Sequence, residues 1–158
     1  MLAGIMVTPT RYSPSQSHVF IPIAPGFEEG PVVYCLDQLR EAGLAVSLVG
    51  ISPGLISSLH GLTVRPDLSL EQLPAVRPRQ LVIVPGGAQC ASTLLADPRL
   101  YRFVEATLNS GGYVAAMQAA QPALTSVGLP APAVAAGFVP QNGLDIAQFV
   151  TRLVHLVS

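Results

Sequence analysis

The stretch GGYVAAMQAAQPAL (residues 111–124) decides the fold. Tyr113 to Met117 form a short apolar run that reads as a buried strand. The chain then breaks at Gln118 and resumes as a helix, with Pro122 near its start. A strand that turns sharply into a helix is the nucleophile elbow of α/β enzymes, which holds its reactive side chain at the turn. The residue at this turn is Gln118. A carboxamide neither ionises near neutral pH nor attacks a carbonyl, so the frame of an active site stands here without its nucleophile.

The same alternation extends in both directions. Residues 18–24 (HVFIPIA) and 44–51 (LAVSLVGI) are apolar, β-rich runs, and residues 81–84 (LVIV) make a third core strand. Between the first two, Val32, Val33, Leu36 and Leu39 recur at helical spacing over residues 31–42, and Gly43 stops that helix. Residues 60–67 read as an edge element and LSLEQLP (residues 68–74) as a short helical turn. Asp97-Pro98 opens a helix that runs to about Asn109, with proline at its first position. Residues 134–138 are a candidate strand, and an amphipathic helix over 144–157 closes the chain. Strands alternating with helices predict a parallel sheet covered on both faces. Ligands in such sheets bind at the carboxyl ends of strands. Three loops leave such ends: PGFEE (25–29), PGGAQC (85–90) and the elbow at Gln118. If their strands are neighbours, the loops converge.

Composition narrows the function classes. The chain has 158 residues, half of them hydrophobic and 11% charged, which suits a single domain over residues 18–158. Residues 1–17 read as a flexible leader rich in Ser, Pro and Thr. A net charge of −1 argues against nucleic acid as a partner. All eight basic residues are Arg, which excludes a Schiff-base or P-loop lysine. Cys35 and Cys90 form no CxxC pair, and no His/Cys/Asp/Glu cluster has ligand spacing, so neither a metal nor another cofactor is expected. No apolar stretch is long enough to span a bilayer, and the expected location is the cytoplasm.

Taken together, APGFEEGPVVYCLDQLREAGLAVSLVG, HGLTVRPDLSLEQL, LVIVPGG and GGYVAAMQAAQPAL resemble the ThiJ/PfpI family, also called the DJ-one superfamily. The resemblance covers residues 18–124 and resumes from residue 134. It implies a flavodoxin-like three-layer α/β sandwich around a mostly parallel sheet, similar to class I glutamine amidotransferases and shortened near the C-terminus. It also implies an elbow Cys, a first-loop Glu bonded to it, an oxyanion donor in the PGG loop and a His after the elbow helix. In this chain the Cys position holds Gln118 and the Glu position falls at Pro31. The usual AGP after the Cys becomes AAQP, with an extra residue before Pro122. The further strand and the His expected after the elbow helix are missing. Gly86 and Gly87 are kept. His60 matches an HG pair of some members, on the side of the fold away from the chemistry.

The remaining candidates are weighed on their own residues. Cys90, three residues past Gly87, is a candidate displaced nucleophile at a helix N-terminus, where thiolates are favoured. Its plainer reading is a small core residue. Glu28 and Glu29 are a candidate acid pair, Glu29 the better placed, or simply two solvated loop carboxylates. Gln118 is either a polar contact for a ligand or an amide satisfied by nearby backbone. Arg40 and Asp37 lie on the helix that family dimers often use. The combined losses favour a non-catalytic domain that binds a protein partner or itself, as an oligomer or a subunit of a complex. Two alternatives stand beside it: a hydrolase, glyoxalase-like or deglycase enzyme working through Cys90 or Glu29, and a small-molecule sensor without turnover.

Overall fold

The structure is a computed structural model that describes residues 18–128 and 136–158; the leader assigned to residues 1–17 lies outside them. Strand β1 (His18–Ile23) is buried along its whole length. Helix α1 (Glu29–Glu41) follows it and buries Val32, Cys35 and Leu39, one stripe at helical spacing. Strand β2 (Ala45–Gly50) is again buried throughout. A short antiparallel hairpin, β3 (Ile56–Ser57) with β4 (Thr63–Val64), stands apart from the main sheet. Strand β5 (Leu68–Ser69) rejoins the sheet, followed by a 3-10 turn at Leu70–Gln72. The edge element read from residues 60–67 is therefore half of this hairpin plus the approach to β5.

Strand β6 (Leu81–Val84) leads into helices α2 (Ala88–Ala96) and α3 (Pro98–Asn109). Asp97 caps α3 by accepting from the Arg99 N–H, and Pro98 takes the first position, whose N–H needs no partner. Strand β7 (Tyr113–Ala116), a 3-10 turn (Gln118–Ala120) and helix α4 (Gln121–Ser126) form the elbow. Strand β8 (Phe138–Pro140) and helix α5 (Ile146–Val157) complete the described chain. The strand expected at 134–138 lies later, at β8; residues 134 and 135 fall outside the described residues.

The main sheet has the order β5-β2-β1-β6-β7-β8, and every neighbouring pair is parallel. Helix α1 packs with α5, and α2 with α3 and α4, giving helices in two groups around the sheet. This is the expected flavodoxin-like α/β architecture. Burial on both faces explains why β1, β2 and β6 are near-continuous apolar runs, broken only by the buried His18 and Ser47. The order reverses between β1 and β6, where ligand crevices form in such sheets. Those two strands pair only through Val19↔Leu81 and Phe20↔Val82, whereas β1 pairs with β2 over six positions. Pro22, which has no N–H to donate, lies beyond the end of the short ladder.

Candidate functional site

The three loops do converge, because β1, β6 and β7 are adjacent. The Glu28 N–H donates to the Gly86 carbonyl at 3.2 Å, and the Met117 N–H to the Val84 carbonyl at 3.0 Å. Gly87 adopts φ +98° at the start of α2, and a Cβ there would lie 2.4 Å from the Gly26 carbonyl oxygen. A Cβ on Gly86 would lie 2.0 Å from Glu28 Oε1 and 3.0 Å from the Ala119 methyl. Close approach of the first loop's backbone requires glycine at 87, whereas at Gly86 the near atoms are a movable carboxylate and the Ala119 methyl.

Among the first-loop acids, Glu28 is the one that reaches the crossing. Glu29, favoured from sequence, is turned away. Glu28 is the extended N-cap (φ −75°, ψ 103°) and Glu29 the first helical residue, so their side chains leave the backbone in different directions. Glu29 Oε2 accepts from Ser58 Oγ at 2.7 Å and from the His60 N–H at 3.0 Å, and Oε1 lies 3.0 Å from His60 Nδ1. These bonds, the Ser58 hydroxyl first, hold its carboxyl down at about 2. A carboxylate so stabilised in its ionised form is a poor general acid. The same contacts correct the placement of His60, which sits on the hairpin beside the start of α1, at the loop end of the sheet. Pro31, at the position of the family's first-loop Glu, lies within α1 and supplies no carboxylate.

Cys90 occupies the first turn of α2, as expected, but its side chain faces the core with 0% exposure. Burial, with the Glu28 charge adding to it, pushes the thiol up to about 11 despite a backbone bond from Ala24. The helix N-terminus is outweighed by desolvation, which disfavours the thiolate that a nucleophile needs. Cys35 is equally buried, and burial lifts it to about 12.

Gln118 is exposed at the turn. Its N–H donates to Gln141 Oε1 at 2.8 Å, and its own Oε1 accepts from the Gly143 N–H at 2.7 Å. Gln141 also donates from its amide to the Leu144 carbonyl and from its backbone to the Ala116 carbonyl, each at 2.8 Å. The elbow is thereby clasped to the loop after β8. Elbow residues are commonly strained. Among the described residues, however, only Arg79 and Asn142 have positive φ without being glycine, and Gln118 does not. An open groove of about 510 Å³ lies beside it, lined by Gln118, Gln121, Pro122, Thr125 and Ser126. Sequence reasoning missed Gln141; a lone Gln after a short strand carries no signal until the strand order brings it to the elbow. Among the described residues, no group of three or more His, Cys, Asp or Glu is placed to hold a metal ion, and no helix is long and apolar enough to cross a membrane.

The sequence model of the DJ-1/PfpI family matches residues 17–144. The chain belongs to the DJ-1/PfpI family. It is 30% identical over 108 residues to the Parkinson disease protein 7 homolog of Danio rerio and 28% identical over 108 residues to protein dj-1beta of Drosophila melanogaster. Each match covers 68% of this chain and 57% of the relative, so the chain spans little more than half the length of these proteins. The fold is similar to the crystal structure of Drosophila melanogaster DJ-1beta, with a TM-score of 0.76 at 19% identity over 90% of each chain. A DJ-1 superfamily protein from Salmonella typhimurium, solved as a cysteine-to-alanine mutant, gives 0.72 at 22% identity over 88% of this chain and 89% of that one.

Proposed function

We propose that this DJ-1/PfpI chain is a non-catalytic family domain that acts by protein binding, and that its partner is a second copy of itself. The observation that carries the first part is the clasp at the elbow. The residue at the nucleophile position is an amide, its oxygen is bonded to the Gly143 N–H, and its backbone N–H is bonded to Gln141. The two substitutes that sequence offers give no support to catalysis: Cys90 is buried with a raised pKa, and Glu29 is locked to the hairpin. Support for self-association comes from the other side of α1. Among the described residues, Leu55, Leu59 and Leu62 of the hairpin region and Val33 of α1 are the exposed large hydrophobic side chains. Val33 stands one turn along α1 from Glu29, which the hairpin grips through Ser58 and His60. Family resemblance implies dimers through this helix, and burying apolar area is the main drive for such association.

Sedimentation of the purified chain tests the second copy. The wild type sediments as an oligomer, and the double substitution Leu59→Glu with Leu62→Glu converts it to a folded monomer. A wild type that is monomeric at every concentration refutes self-association. Labelling with a thiol electrophile at neutral pH tests the first part. Neither cysteine reacts until the chain unfolds; rapid modification of Cys90 in the native state refutes the reading. The groove beside Gln118 favours a second reading, a small-molecule sensor, and a thermal shift that persists in the hairpin variant would select it.

A further inference from the structure

A second cleft lies well away from the elbow, at the carboxyl ends of β2 and β5. Its volume is about 310 Å³, at the small end of ligand pockets. Its walls are tied to the sheet. Asp67 Oδ2 accepts from Arg40 at 3.0 Å and from the Leu48 N–H at 2.8 Å, and the Asp67 N–H donates to the Leu48 carbonyl. Gln72 Oε1 accepts from the Ser69 N–H at 3.0 Å, which fixes the 3-10 turn. The floor depends on Gly50, where a Cβ would lie 2.6 Å from Pro66 Cγ and 2.9 Å from the Ser52 carbonyl oxygen.

Two charges on these walls are left over. Arg65 and Glu71 both line the cleft, yet neither belongs to an ion pair among the described residues. The ion pairs among the described residues are Arg40 with Asp67, His60 with Glu29, and Arg99 with Asp97. The Glu71 charge does act on Arg99, but that guanidinium is already held by Asp97 at 3.0 and 2.7 Å. A cation and an anion therefore share one small cleft without closing on each other. With Asp67 neutralised by Arg40, the wall as a whole carries no net charge. A simple anion would meet Glu71 and a simple cation would meet Arg65, so each is opposed by one wall. A molecule with both charges satisfies both, its carboxylate on the Arg65 fork and its ammonium on Glu71.

We infer that this cleft binds a small zwitterion bearing a carboxylate and an ammonium group, of the size of an α-amino acid. The site is separate from the elbow, and its walls at Gly54 and Arg65 flank the hairpin proposed for self-association. The test is a titration of the full chain with L-alanine, followed through its backbone amide NMR signals, with acetate and methylammonium as half-ligands. Saturable shifts of the amides at residues 52–54 and 68–72 are expected. Arg65→Ala and Glu71→Gln each weaken binding by about tenfold or more, and each half-ligand binds at least as weakly as those variants. Both side chains are exposed and belong to no ion pair among the described residues, so melting temperatures stay unchanged and a lost signal is a lost contact. Absence of saturable shifts with L-alanine overturns the inference. So does equal affinity in either variant, or acetate alone binding as tightly as L-alanine.

Discussion

Replacing Gly87 with Ala tests the convergence of the three loops more sharply than any change at the elbow. Gly87 has φ +98° and ψ 109°, outside even the small left-handed region that other residues visit. Forcing an alanine there costs about 2–3 kcal/mol in backbone strain. The new methyl would also stand 2.4 Å from the Gly26 carbonyl oxygen. That oxygen belongs to backbone and is followed by Phe27, which has 0% exposure, so the loop cannot yield without moving a core aromatic. Overpacking of this kind adds about 1–3 kcal/mol. The total of roughly 3–6 kcal/mol is a large part of an ordinary domain's stability. Gly86→Ala is the control. Its methyl meets Glu28 Oε1 at 2.0 Å, but that atom ends a flexible, half-exposed side chain that can swing aside. The remaining contact, 3.0 Å to the Ala119 methyl, needs a shift of a few tenths of an ångström and costs about 1 kcal/mol or less. Urea denaturation followed by circular dichroism measures both. Adding Glu28→Ala should recover little of either loss, because the carboxylate yields cheaply and the Gly86→Ala cost rests on the Ala119 methyl. Equal losses for the two alanines, or a Gly87→Ala loss under about 1 kcal/mol, would refute the argument from close approach.

Three further outcomes follow from the geometry. His18 is buried, lies 2.9 Å from Ser47 Oγ and stacks on Phe20; burial first, then the Arg77 charge, lower its pKa from 6.5 to about 4. The unfolded chain therefore binds more protons between these values, so stability is whole above pH 6.5 and falls as pH drops toward 4. The full shift corresponds to roughly 3 kcal/mol and, discounted for partial hydration, to about 2 kcal/mol, read as a melting-temperature slope that His18→Asn flattens. Glu29 has its folded pKa lowered from 4.5 to about 2, so a second loss begins as pH falls through that lower window, and Ser58→Ala should shrink it. At the elbow, Gln118→Ala frees the Gly143 N–H and Gln141→Ala frees the Gln118 N–H. Each should cost about 0.5–1 kcal/mol and speed hydrogen exchange at the freed amide, and unchanged exchange would count against the clasp.

Much of this fold is legible because its signals are local. The LVIV of β6 is apolar on every residue, as a strand covered on both faces must be, and Asp97-Pro98 places the start of α3 to the residue. The elbow's strand and turn lie where residues 111–124 predict them. The misplacements share a different physics. The β3–β4 hairpin pairs only two residues on each strand, too few for a period of two to register. The inward turn of Cys90 depends on how α2 lies against β1, a tertiary fact that no spacing within GGAQC encodes. The exchange of roles between Glu28 and Glu29 depends on where α1 begins, at Glu29 instead of the residue 31 read from sequence. The position of His60 depends on where the hairpin folds, and it docks through the Leu59 N–H onto the Phe27 carbonyl at 2.8 Å.

Gln118 shows how a substitution can change what a local shape is for. An elbow that presents a nucleophile holds its backbone in an unfavourable conformation, and the surrounding packing must offset that strain, of order 1–3 kcal/mol. Here the turn is relaxed into a 3-10 segment preceded by Met117 at φ −65°, ψ 158°, and no such strain has to be maintained. A glutamine is long enough for its amide oxygen to reach the Gly143 N–H across the gap between β7 and β8, which a cysteine's single methylene could not span. The bond runs outward, toward the loop after β8, whereas the family's nucleophile is bonded from the first loop. The carboxylate that does enter the crossing, Glu28, lies against Gly86. Reversing this would take more than restoring a thiol. Gln118→Cys would lose the bond to the Gly143 N–H while leaving Gln141 bonded to the backbone N–H, and the new thiol would sit at a turn whose side-chain bonds run to the loop after β8.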